Sequence, residues 1–211
     1  MSVRVTSTVV TAASSYDLVD LATVKDELDI TNGLSDAKLK RYITAASAAI
    51  ANHCNRVFAR ETVSDRFDIR VPRLQWAGER VLQLNRFPAI AIASVLENST
   101  ALVQDTDFRV EMQSGALVRT NSDGSTISWT QTPIIVQYDG GYPTIPADLA
   151  DAAVRLVRTR WFAKDRDPMA RQVNIPGVMD VAYWVPTGAD AGNMPPDVID
   201  LLSNFASPNI A

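Results

Sequence analysis

Apolar positions repeat first with a helical spacing, then with a period of two, then helically again. Leu21, Val24 and Leu28 stand at i, i+3 and i+7 behind Asp20, so the pattern predicts a helix over Leu21 to about Leu28 with Asp20 as its N-cap. Asn32-Gly33 interrupts the chain. Ser35 is the expected cap of a second helix, whose stripe Leu39, Ile43, Ala46, Ile50 and Val57 covers about five turns. From Glu61 the period is two: Val63, Phe67, Ile69 and Val71 face one way, and Thr62, Ser64, Arg66, Asp68 and Arg70 the other. A half-buried antiparallel strand reads this way. Further strands are expected at Arg80 to Leu84, Ile90 to Leu96, Phe108 to Glu111, Ala116 to Arg119 and Ile134 to Tyr138, with Asp123-Gly124 and Gly140-Gly141 as turns. Pro146 opens a third helix with the apolar face Leu149, Ala153, Leu156, Val157 and Trp161. Two helices, a sheet and a helix predict an α+β fold, with helices packed on a central antiparallel sheet.

After Lys164 the pattern lapses. Residues 165–194 contain Pro168, Pro176, Pro186 and three glycines without a helical period, a stretch longer than loops inside compact domains usually are. The segment Val178 to Val185 is too apolar for a solvated tether and suits a partner surface. Pro195-Pro196-Asp197 then starts a short helix with Val198, Leu201, Leu202 and Phe205 on one face. A helix this short does not persist alone in water, so the arm is expected to order mainly on docking. The expected division is a strand-like lead over 1–17, a core over 18–164 and a C-terminal arm over 165–211.

Composition narrows the chemistry. At 211 residues, 46% apolar and 21% charged, the chain can bury a core without disulfides or a metal. No apolar run approaches the roughly 18 residues of a membrane span, and the start lacks the basic and apolar regions of a signal peptide. Neither a membrane partner nor export is expected, and synthesis is expected in the cytoplasm. One His and one Cys, His53 and Cys54, supply too few ligands for a structural zinc site. As neighbours on a helix they point about 100° apart, poor geometry for a nucleophilic pair, and both are expected to be core or half-buried. Asp148 and Asp151 read as dipole partners of the third helix, Asp65 and Asp68 fall on opposite strand faces, and Asp105 and Asp107 lie in a turn. Gly140-Gly141 lacks the spacing and the Lys of a phosphate loop. No catalytic set, no cofactor site and no metal site emerge, so an enzyme is not expected.

Charge is uneven along the chain. The net charge is −4, yet residues 155–171 carry a local +4, and residues 172–211 have four Asp and no Lys or Arg. The basic stretch fits the C-terminal end of the third helix, a partner surface, or, as the alternative function, a nucleic-acid-binding module. Sixteen of the twenty basic residues are Arg, which favours protein interfaces. Ala45, Ala46, Ala48, Ala49 and Ala51 remove bulk around most of the second helix and permit close approach of another backbone. Ala45, Ala48, Arg155 and Arg158 are the expected inter-subunit residues.

The order of these signals is that of a known family. The segment LVDLATVKDELDI at Leu18–Ile30, the alanine-rich helix ending ANHCNRVF, the strand pair through LNRFPAIAIASV, and IIVQYDGGYPTIPADLADAAVRLV at Ile134–Val157 together resemble the head-tail connector, or adaptor, proteins of tailed bacteriophages and related gene transfer particles. The likeness covers about residues 18–164. Its sharpest part is a strand followed by Tyr-x-Gly-Gly-Tyr, a Pro, and a helix that begins after a second Pro. The resemblance implies a non-enzymatic virion part in the neck, built as a homo-oligomeric ring, typically of twelve copies, between the portal and the tail-side (stopper) neck proteins. DNA would pass through without specific binding. It also implies a C-terminal segment that docks on the portal, for which Tyr183, Trp184, Val198, Leu201, Leu202 and Phe205 are the expected contacts.

Overall fold

A computed structural model of the chain describes residues 2–70, 81–129, 131–164, 172–175, 179–182 and 194–206. Contacts group the chain by space rather than by order. One unit joins Met1–Ser15 to Val57–Thr144, and the other joins Tyr16–Arg56 to Ile145–Ala211.

The first unit is all β. Its strands are β1 (Ser2–Thr11), β2 (Glu61–Arg70), β3 (Val81–Gln83), β4 (Ala89–Glu97), β5 (Thr100–Ala101), β6 (Phe108–Glu111), β7 (Ala116–Thr120), β8 (Thr126–Ile127) and β9 (Ile134–Gly140). The single sheet expected from the pattern resolves into two. Five strands run β1-β2-β9-β4-β5, and a second sheet runs β3-β7-β6 with β8 beside β7; every pairing is antiparallel. The two sheets share one core. Val63 and Phe67 of β2, Val136 and Tyr138 of β9 and Val95 of β4 pack with Leu82, Phe108, Leu117 and Trp129. The alternation read from Glu61 holds where it is described: Val63, Phe67 and Ile69 are buried, Thr62, Ser64 and Asp68 are half-buried and Arg66 is exposed, while Val71 lies outside the described residues. The N-terminal lead is itself a strand, in register with β2 from Ser2↔Arg70 to Val9↔Val63.

The second unit contains α1 (Leu21–Glu27), α2 (Asp36–His53), α3 (Ala147–Ala163) and α4 (Pro196–Leu202). Asp20 caps α1 as expected, its carboxylate accepting the Thr23 N–H at 2.7 Å. Ser35 flanks α2 without a side-chain cap bond; instead Lys25 pairs with Asp36 at 2.9 Å. The stripe on α2 stops short of Val57. Asn55 takes φ +50°, and the Arg56 and Asn55 amides turn back to the Ala51 and Asn52 carbonyls, which ends the helix in a left-handed cap. Leu39, Ile43, Ala46 and Ile50 are the buried stripe that remains. The arm contains regular structure that the sequence reading missed, an antiparallel hairpin of β10 (Gln172–Ile175) and β11 (Met179–Ala182). Antiparallel sheets and four helices make the chain α+β, as predicted.

Candidate assembly surfaces

The Tyr-x-Gly-Gly-Tyr motif closes the β unit. β9 carries Tyr138 into the core, where its hydroxyl donates to Asp65 Oδ2 at 2.7 Å and accepts the Arg86 N–H at 2.8 Å. Burial, then the neighbouring Asp65 charge, push the Tyr138 hydroxyl far above its usual range, so it stays protonated as a donor. A Cβ on Gly140 would lie 2.6 Å from Arg86 Cβ, and Gly141, at φ +102°, would collide with the Ala59 carbonyl if it carried one. Two glycines are therefore required where the chain squeezes past two backbones. Tyr142 then donates its N–H to the Phe58 carbonyl at 2.8 Å, and the two rings lie 6.3 Å apart.

Asp65 is the residue whose role the pattern concealed. It is fully buried on the core face of β2, and it also accepts the Asn85 N–H at 2.8 Å and the Ser7 hydroxyl of β1. One carboxylate thus ties β1, β2, β9 and the β3–β4 connection. Asp68 points outward and pairs with Arg66 at 3.1 Å, the opposite face predicted for it. Two further buried acids have guanidinium partners: Glu61 with Arg86 and Glu97 with Arg119, each at 3.0 Å. These are fixed structural pairs.

In the helical unit the expected inter-subunit residues separate into two kinds. Ala45 and Ala48 are exposed on α2, whereas Ala46 and Ser47 on the same helix are buried. The Ser47 hydroxyl accepts the Leu18 N–H at 2.9 Å, so the small residues on that side serve close packing inside the unit. Arg155 and Arg158 are exposed but already paired. Arg155 bridges Asp151 at 3.0 Å and Asp197 at 3.1 Å, and Arg158 meets Glu27 at 3.0 Å. Hydrogen bonding to Asp197, with Asp151, holds the Arg155 pKa above its ordinary value. These residues, with Thr159 and the 68%-exposed Phe162, line an open groove of about 540 Å³. Three acids face it against two arginines, a mixed surface without the uniform positive potential that a phosphate backbone needs.

The expected portal contacts are also divided. Val198 and Leu202 are fully buried on α4, which packs on α3, while Leu201 and Phe205 are half-buried. The Phe205 carbonyl accepts Arg56 Nη1 at 3.4 Å. α4 therefore finds its cover within the chain, contrary to the expectation that it orders mainly on docking. The apolar face that could not persist alone is satisfied by α3. Tyr183, Trp184, Arg166 and Arg171 lie outside the described residues.

Cys54 is buried at the end of α2, and desolvation pushes its thiol up to about 11, away from nucleophilic reactivity. His53 is exposed, which corrects the expected burial: it is the last residue of α2 and faces away from the Leu39–Ile50 stripe. Asp148 is exposed in the first turn of α3 and Asp151 is spent on Arg155. No group of three or more His, Cys, Asp or Glu able to hold a metal occurs among the described residues.

Comparison with known proteins then decides the family. The family model described as "Head completion protein" matches residues 17–175. The chain belongs to the head completion protein family. This membership bears out the resemblance to head-tail adaptors drawn from the motifs. Solved structures share the fold along nearly the whole chain. A chain from the neck of an empty GTA particle computed with C6 symmetry is similar at 17% identity and TM-score 0.55, covering 98% of this chain and 97% of that one. A chain from the neck of a native GTA particle computed with C12 symmetry gives 18% and 0.55 over the same shares. One from the virion of a native gene transfer agent (GTA) particle gives 16% and 0.54, covering 97% of each. No curated protein matches in sequence. The family match spans both contact units, including the motif that closes the β unit.

Proposed function

We propose that this head completion protein is a non-enzymatic structural part of the virion neck. It forms a closed adaptor ring of twelve copies between the portal and the tail-side neck proteins, and DNA passes through the ring without specific binding. The observation that carries the reading is the family match over residues 17–175, supported by a fold shared end to end with chains from GTA particle necks. A closed ring multiplies modest lateral contacts, so no single interface has to be strong. Ala45 and Ala48 are the lateral candidates, because they are exposed and small. Arg155 and Arg158 contribute laterally only by exchanging their partners within the chain.

For the portal, Tyr183, Trp184, Leu201 and Phe205 are the proposed contacts, with Val198 and Leu202 holding α4 in place on α3. Deleting the whole arm would strip α3 of this cover, so single substitutions are the cleaner test. The nucleic-acid alternative draws no support from the geometry of Arg155 and Arg158, which already face carboxylates. The decisive measurement is an image of the particle neck with copies counted about the axis. Twelve copies in contact with the portal are expected. A chain located elsewhere in the particle, or submicromolar duplex binding at physiological salt, would overturn the reading.

A further inference from the structure

The five-stranded sheet has two ends that are treated differently. At one end the outer side of β4 is blunted: β5 pairs with Leu96 and Glu97, the Leu102 N–H closes onto the Val95 carbonyl at 2.9 Å, and the strand shifts register between Ala89 and Ala91 and again between Ile92 and Ser94. Bulges and short covering strands are common protections of a sheet edge. At the other end β1 has no covering strand among the described residues, and its one register shift lies at its far end, between Val9 and Thr11. It runs ten residues and keeps unbroken register with β2 from Ser2 to Val9. Arg4 is its one charged residue, it contains no Pro or Lys, and Val5, Val9 and Val10 are 43–53% exposed. A long β-branched edge of this kind is a template for another strand.

A second element has the complementary need. The β10–β11 hairpin pairs only with itself among the described residues, over four residue pairs from Gln172↔Ala182 to Ile175↔Met179. Two strands alone are marginal in water and require a third strand or a packed face. The hairpin is tethered by residues 164–171 after α3, a stretch that spans up to about 27 Å when extended.

We propose that the outer edge of β1 is a pairing edge between copies, and that its occupant is the β10–β11 hairpin of a neighbouring copy. The inference rests on the ring reading. An edge on one copy and a hairpin on the next form a head-to-tail contact, which closes only in a ring. It gives the ring a backbone-mediated lateral link that surface side chains alone do not reveal.

The test uses full-length chains assembled in particles whose neck ring has been imaged. One variant carries Thr6→Cys and a second carries Asp180→Cys, each checked for an unchanged melting curve. The two are co-assembled and treated with a short bis-maleimide. The expected product is a covalent dimer of one chain of each variant, together with at least tenfold slower amide exchange in β1 in the particle than in the free chain. A ring that forms while β1 exchanges equally fast and no mixed dimer appears overturns the pairing and leaves the ring intact. A link confined to a single chain, seen when both substitutions are combined, overturns the assignment to a neighbour. Absence of a ring in the image overturns both readings.

Discussion

The two contact units handle charge in opposite ways. In the β unit Asp65, Glu61 and Glu97 are buried, each bound by named donors, and they join strands that are distant in sequence. In the helical unit the ionic pairs Arg155–Asp197, Arg155–Asp151 and Arg158–Glu27 lie at the surface, and, Ser47 apart, the buried side chains described are apolar, among them Leu39, Ile43, Ala46, Ile50, Leu149, Leu156, Val198 and Leu202. A buried polar group left without its partner costs its full desolvation, whereas an exposed pair is exchanged for water at little cost. Polar contacts therefore specify strand arrangement in the first unit. Side-chain volume holds the second.

Substitutions can break that comparison. Asp65→Ala removes the acceptor shared by Tyr138, Asn85 and Ser7, and should lower stability by about 3 kcal/mol or more in urea unfolding. A loss below about 1 kcal/mol would show the cluster to be hydrated and the contrast wrong. Leu202→Ala deletes a fully buried side chain of α4 and should cost about 2 kcal/mol. Hydrogen exchange should locate the loss in α4 before any change in the β strands. Asp20→Ala removes the cap of α1 and should cost about 1 kcal/mol, with Asp20→Asn recovering most of it. Arg158→Ala breaks an exposed pair and should cost under about 1 kcal/mol, vanishing at high salt.

Acidity sharpens the same contrast. The Thr62 hydroxyl and the Arg60 guanidinium hold Asp139 below the ordinary carboxyl range. Its folded pKa is thus lower than its unfolded one. The stabilisation is present above about pH 4 and is lost as pH falls through the folded value. Asp139→Asn should flatten the acid limb of the stability profile while leaving stability near neutrality only slightly reduced.

Much of the fold was legible because periodicity reports burial. The β2 alternation, the bounds of β6, the Asp20 cap and the α3 face all follow from spacing. Other features required contacts that one sequence does not display. Asp65 breaks the apolar series of β2 at an inward position, and that break was the available signal that a buried donor set exists. The end of α2 was set by the left-handed Asn55 rather than by the stripe, which had pointed on to Val57. The β10–β11 hairpin could have been found from the alternation Gln172-Val173-Asn174-Ile175 before Pro176-Gly177. The cover on α4 could not, since amphipathicity states that a face needs burial and not what supplies it. For the assembly residues, exposure of Ala45 and Ala48 agrees with the role proposed for them. The pairing of Arg155 with Asp197 and of Arg158 with Glu27 was invisible because those acids are remote in sequence, whereas the Arg155–Asp151 pair lies at i, i+4.

The pairing of β1 with β2 has a consequence for how the molecule is made. Some fifty residues, including both α1 and α2, separate Thr11 from its partner Thr62, and closing a loop of that length costs entropy before any strand contact repays it. Helix formation is local and fast, while long-range strand pairing belongs to the slow class of folding events. In a newly synthesised chain the segment that carries α1 and α2 would thus lie between two strands that have yet to meet, so β1 becomes a strand late, when β2 and the carboxylate of Asp65 are there to receive it.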